Sequence, residues 1–246
     1  MFLAGVAPWR DRGGYDPIIK NYRPYILESF YYVDADTERL LPYYGDFLLD
    51  SGAFTFMQGT STTPNFDEYA ERYAEFINRN KIQKYFELDI DSVVGYEKVK
   101  KIRKRLEQLT GRQCIPVWHL SRGIDEYKGI AKDYDYIAIG GIVSGEIKRD
   151  KYKAFPALIS EAHSRGAKVH GLGFTNLALL PYYHFDSVDS TAWTTGNRFG
   201  HLYFFDGKTM QKKSAPSGYK LGDSRMVAVN NYTEWIKFQK YADTHL

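Results

Sequence analysis

Tyr136-Ile137-Ala138-Ile139-Gly140-Gly141, a helical pattern over 151–165, and Lys168-Val169-His170-Gly171 form one strand–helix–strand unit. The two short runs are β-branched or aromatic and end in glycine, while the stretch between them is long enough for a helix. Asp150 is placed to cap that helix, and Gly166 to end it as the residue after its last turn. The same rhythm extends in both directions. It predicts strands at 2–7, 25–33, 47–50, 85–89, 115–119, 136–140, 168–171 and 185–189. Helical patterns fall at 66–80, behind the cap Asn65, then at 96–110, stopped by Gly111, and at 124–133, 151–165 and 176–183. A hairpin, with strands 201–205 and 208–211 about Asp206-Gly207, precedes a terminal helix at 233–243. No linker interrupts the series. The expectation is one domain over 1–246, an α/β fold of the compact (β/α)₈ barrel kind with its site at the C-terminal ends of the strands.

Composition narrows the chemistry. The 246 residues carry 33 Lys+Arg against 30 Asp+Glu, a formal charge of +3, with 43% hydrophobic and 26% charged residues. That balance suits a packed core and excludes a disordered tail or a membrane protein. Cys114 is the single cysteine, so no internal disulfide, Cys-rich zinc site or iron–sulfur cluster can form. Aromatic residues reach 16%, and such rings serve both cores and stacking platforms for bases. The opening Met1-Phe2-Leu3-Ala4-Gly5-Val6-Ala7-Pro8-Trp9 has no basic run before its short apolar stretch, which predicts a first strand and a cytoplasmic protein with no membrane partner.

Six of the predicted strands end in polar groups that a barrel would gather at one mouth. A single aspartate after an apolar run is ordinarily a cap or a turn former. Asp50, Asp89 and Asp189 all stand at strand ends, and clustered carboxylates cost stability unless something uses them. Two carboxylates on opposite sides of a pocket suit displacement at an anomeric carbon, one attacking and the other handling protons. No lysine at a strand end suggests Schiff-base chemistry, and no His pair with a carboxylate has metal-ligand spacing. No metal or other cofactor is expected.

In order and spacing, these segments resemble the tRNA-guanine transglycosylase superfamily. Leu49-Asp50-Ser51-Gly52-Ala53-Phe54 resembles its T-D-S-G-G-F-Q segment, and Glu87-Leu88-Asp89-Ile90 its F-D-E or L-D-I. Val117-Trp118-His119 lies where the family has I-V-Q-G, with His119 in place of Gln. Gly140-Gly141-Ile142-Val143-Ser144-Gly145-Glu146 resembles G-G-L-A-V-G-E, and Gly171-Leu172-Gly173 resembles G-V-G. Asp186-Ser187-Val188-Asp189-Ser190-Thr191-Ala192-Trp193 resembles the archaeal-type D-L-F-D-S-A-S-Y.

The resemblance implies a nucleophile at Asp189, with Asp186 its rival because Phe185-Asp186-Ser187-Val188 also resembles F-D-C-V. It implies a general acid/base at Asp50, and base-binding roles for Asp89, Asp91, His119, Gly140, Gly141, Ser51, Gly171 and Gly173. The zinc site of the tRNA enzymes needs several cysteines, and no appended RNA-binding domain is expected in 246 residues. In this the chain is similar to the shorter phage and bacterial relatives that place 7-deazaguanines, such as 7-cyano-7-deazaguanine, in DNA. The implied activity exchanges guanine in DNA for a free 7-deazaguanine base. The alternatives are tRNA as acceptor and a barrel that binds nucleobases or nucleic acid without turnover.

Lys148, Arg149 and Arg198 are candidates to meet phosphates near the mouth. Lys98, Lys100, Lys101, Arg103, Lys104, Arg105 and Arg112 cluster around one helix, where a solvated outer face is the stronger expectation. A target base in a duplex has to be flipped out, and Trp118, Trp193 and Phe54 are candidates to stack on it.

Overall fold

The computed structural model describes residues 1–6, 14–57, 64–214 and 223–245, without the side chains of 197 and 198. Seven parallel strands form one curled sheet: β1 Phe2–Ala4, β2 Tyr25–Ser29, β3 Asp46–Asp50, β4 Val117–Trp118, β5 Tyr136–Ile139, β6 Lys168–Gly171 and β7 Ser187–Ser190. Their order is β3-β2-β1-β7-β6-β5-β4. The result is a half-barrel, compatible with a TIM-like α/β fold, in place of the expected closed eight-stranded ring.

The departure falls at the predicted fourth strand. Residues 85–89 make only isolated parallel bridges, Tyr85 to Leu49 on β3 and Phe86 to Ile115 beside β4. Two local features explain this. The Glu87 side chain accepts the Val117 N–H at 2.9 Å, in place of a backbone carbonyl. Pro116 has no N–H to give a ladder, so β4 is regular over two residues only. The first strand stops at Ala4, and Ala7 of the predicted span lies outside the described residues.

Strand alternation sorts the side chains. Phe2, Ala4, Leu27, Leu48, Phe86, Ile115, Val117 and Ala138 pack together as a small apolar cluster. The opposite faces, with Leu3, Ile26, Leu49, Ile137, Ile139, Val169 and Val188, are covered by helices. The Phe66–Arg79 helix begins at the predicted cap, where the Asn65 side chain accepts the Asp67 N–H. The Tyr96–Thr110 helix stops at left-handed Gly111. The Gly123–Asp133 helix lies where expected. The predicted 151–165 helix divides into a 3₁₀ turn, Arg149–Ala154, and an α-helix, Phe155–Ser164, so Asp150 lies within the first turn instead of capping.

The hairpin pairs β8 His201–Phe205 with β9 Met210–Ser214. The last helix runs over Ser224–His245, a longer span than predicted. Two buried amides anchor it. Asn231 accepts from the Tyr203 N–H and donates to the His201 carbonyl. Gln239 donates to the carbonyls of Met1 and Tyr25 and accepts the Tyr25 N–H. Among the described residues no helix is long and apolar enough to cross a membrane.

Candidate active site

The alternation that builds the small apolar cluster also builds the site. Asp50 follows Leu48 by two residues and His119 follows Val117 by two, so their side chains leave the strands on the same face at the C-terminal end. Asp50, Asp89, His119, Glu146 and Asp189 line one cavity of about 930 Å³, with Phe54 and Tyr32 also on its wall.

Asp50 Oδ2 accepts the Gly52 N–H at 2.9 Å, and that glycine has a left-handed φ of +81°. Burial pushes the Asp50 carboxyl up to about 7, and the negative charge of Asp89 adds to it. The Gly52 N–H opposes the shift, Asp189 reinforces it, and the Ser29 hydroxyl again opposes it. A carboxyl poised near neutrality can both give and take a proton. Asp189 is 7% exposed and is held through Oδ1, which accepts the Gly173 N–H at 2.6 Å and lies 3.2 Å from His170 Nε2.

The opposite wall is a three-membered clamp. His119 Nε2 lies 2.9 Å from Asp89 Oδ2, and Nδ1 lies 3.2 Å from Glu146 Oε2. Glu146 Oε1 in turn accepts the Ser121 N–H at 2.7 Å. With a carboxylate at each nitrogen the ring donates twice, as an imidazolium. Burial by itself disfavours that charge, but the hydrogen bond and the negative charge of Asp89 outweigh it and raise the His119 pKa. Arg122 opposes the rise and Asp91 assists it. Asp91 lines the cavity too, yet both its oxygens are taken by Arg122, at 3.1 and 2.6 Å. Arg122 also reaches buried Glu87 at 2.6 Å.

Several predicted residues are elsewhere. Asp186 precedes β7 at the far end of the sheet, where Oδ2 accepts the Val169 N–H and meets His163 Nε2 at 2.7 Å; it has no place in the cavity. Ser51 is fully buried under Tyr69, whose hydroxyl donates to its carbonyl. Gly140 makes room for the His119 ring, since a Cβ there would lie 2.8 Å from Cε1. Gly171 makes room for Phe174 and Phe185. Gly141 and Gly173 do line the cavity.

Lys148 and Arg149 line a second cavity, of about 770 Å³, that shares Val143, Gly173, Thr175 and Thr191 with the first. Arg198 falls in the short Thr195–Phe199 helix, and its side chain lies outside the described residues. Trp118 and Trp193 are core, donating to the carbonyls of Gly123 and Ala4, whereas Phe54 is exposed at the cavity. The basic helix largely spends its charge within the fold. Lys98 pairs with Asp67, Lys100 with Glu97, Arg105 with Glu71, and buried Arg103 with Glu87.

Three contributors escaped the sequence reading. Glu28 is buried at the cavity wall and accepts from Thr37 Oγ1 at 2.8 Å and from the Tyr44 hydroxyl at 3.1 Å. Glu146, quoted only as part of a motif, completes the His119 clamp. His170 stands behind Asp189. The available signal was an acid or histidine inside an otherwise apolar strand, as at Glu28 and His170. Comparison with protein-family models and with curated proteins gives no match for this chain.

Proposed function

We propose that the protein is a transglycosylase of the tRNA-guanine transglycosylase type, exchanging guanine in DNA for a 7-deazaguanine base. The observation that carries this reading is one cavity shared by Asp50 and Asp189 in unlike environments, the first pushed up to about 7 and the second held by a backbone N–H. Unlike surroundings divide acid/base and nucleophile roles between two carboxylates. The curled parallel sheet supports a barrel-type scaffold, with residues 85–86 in the place of its fourth strand.

In the first half-reaction the Asp189 carboxylate forms a bond to C1′ as the C1′–N9 bond breaks. The electron pair leaves on N9, and the Asp50 proton neutralises the departing guanine. In the second half the incoming base gives its N9 proton to the Asp50 carboxylate and attacks C1′, which releases Asp189. Two displacements retain configuration. Asp89 accepts N–H groups on the polar edge of the base, with His119 and Glu146 fixing its orientation. Lys148 and Arg149, on the adjoining cavity, supply counter-charge for the polymer backbone.

DNA is favoured over tRNA because the single cysteine, buried Cys114, cannot build the multi-cysteine zinc site of the tRNA enzymes. The test is incubation with labelled guanine and either guanine-containing DNA or tRNA. Label entering DNA supports the proposal, label entering tRNA alone moves the acceptor, and label in neither polymer defeats the enzymatic reading.

A further inference from the structure

A chain of polar side chains crosses the sheet interior behind Asp189. The Tyr136 hydroxyl lies 2.5 Å from Ser187 Oγ, Ser187 Oγ lies 2.5 Å from His170 Nδ1, and His170 Nε2 lies 3.2 Å from Asp189 Oδ1. His170 is fully buried, and its ring packs beside Phe2 and Phe86 at centroid separations of 6.3 and 5.2 Å.

The chain fits a ring that carries a proton on Nε2. Burial keeps the Tyr136 phenol protonated, so it donates to Ser187. A carboxylate only accepts, so the ring meets Asp189 with its Nε2–H as the donor. Both bonds to Asp189 fall on Oδ1. Among the described residues, Oδ2 receives no hydrogen bond.

We propose that His170 is a positioning residue: its Nε2–H, with the Gly173 N–H, fixes Oδ1 and so presents Oδ2 to C1′ as the attacking oxygen. The inference rests on the exchange reading above. The Oδ2–C1′ bond forms as C1′–N9 breaks, its electron pair passes to N9, and Oδ1 stays the hydrogen-bonded carbonyl oxygen of the ester. Breakdown returns charge to a carboxylate that already has two donors in place, so little reorganisation accompanies the step.

Two measurements test this separately from the exchange reading. In ¹⁵N-histidine spectra of the intact protein at pH 7, the His170 ring should carry a proton on Nε2, its signal perturbed in Asp189→Asn. A ring without a proton on Nε2 overturns the proposal whether or not exchange is detected. In single-turnover assays of covalent adduct formation, His170→Leu should be slower by roughly 100-fold with KM for DNA little changed, as expected when a reacting group is misplaced. His170→Gln, which keeps an N–H donor, should recover to within about tenfold of wild type, because the donor and not the ring holds Asp189 in place. Equal rates in the two variants overturn the proposal; should the Leu variant not fold, Gln and the Nε2 proton decide. A wild-type protein that labels neither polymer defeats the exchange reading alone.

Discussion

At the N-terminal end of the sheet Asp46 pairs with Lys84, and Asp186 meets His163 at 2.7 Å, each in a partly exposed setting with a partner of its own. At the C-terminal end Asp50, Asp89, Asp189 and Glu146 share one cavity, where the His119 imidazolium bonds two of them. Asp50 sits among like charges with a backbone N–H as partner, and its carboxyl is pushed up to about 7. Paired surface charges cost and contribute little. A crowded set of carboxylates is unfavourable for folding, and it is the feature of this end of the sheet on which the proposed chemistry rests.

The contrast is tested most severely on β7. Asp189→Asn should remove both exchange and any denaturant-resistant adduct, a loss of at least about 10⁴-fold, as when a triad residue is lost. Asp186→Asn should leave exchange within about twofold, because its partners are His163 and the Val169 N–H. The reverse result in a labelled-guanine assay would break the comparison.

Asp50→Asn comes next, with exchange slowed about 10²–10⁴-fold as for the loss of a general acid/base. It carries a stability signature of known sign. Because the folded carboxyl is raised from 3.8 to about 7, its contribution to stability is complete below 3.8 and is lost as pH rises through 7. Thermal melts at pH 5 and 8.5 should therefore show the variant gaining on wild type, on the order of 5 °C. A difference independent of pH would assign the crowding to another group.

His119 has the same sign for a different reason. Pairing with Asp89 raises its pKa, so the stability it contributes is full below 6.5 and fades as pH rises through the folded value. His119→Gln should cost about 1.5–3 kcal/mol in urea unfolding at pH 6, less at pH 9. The smallest effect belongs to the other end of the sheet. Asp46→Asn, weakening a partly exposed pair, should cost under about 1 kcal/mol and leave exchange unchanged. A larger loss would erase the distinction between the ends.

The strand–helix rhythm was legible because local rules write it: period-two runs for 136–139 and 168–171, an Asn65 cap and a Gly111 stop. The same rules failed where a side chain replaced the backbone, as Glu87 does opposite Val117, since no local pattern shows which acceptor an N–H finds. They also missed the short helix Ala35–Leu40, although Asp34 and Thr37 form a full capping box. At the site, the strand-end aspartates 50, 89 and 189 were identifiable by position alone. Asp91 was readable as an acid near the mouth, but its capture by Arg122 was not.

The sequence by itself determined the alternation of elements, the one-cysteine limit and the carboxylates at the strand ends, because each depends on residues close together in the chain. Tertiary structure placed Asp189 in the cavity and Asp186 outside it: Asp186 precedes β7 and Asp189 lies near its C-terminal end, on the opposite face. It also placed Glu146 beside His119, 27 residues away, and His170 behind Asp189, 19 residues away. Parallel strands bring residues together through crossovers, so those contacts are set by sheet order and register, which no short stretch of sequence contains.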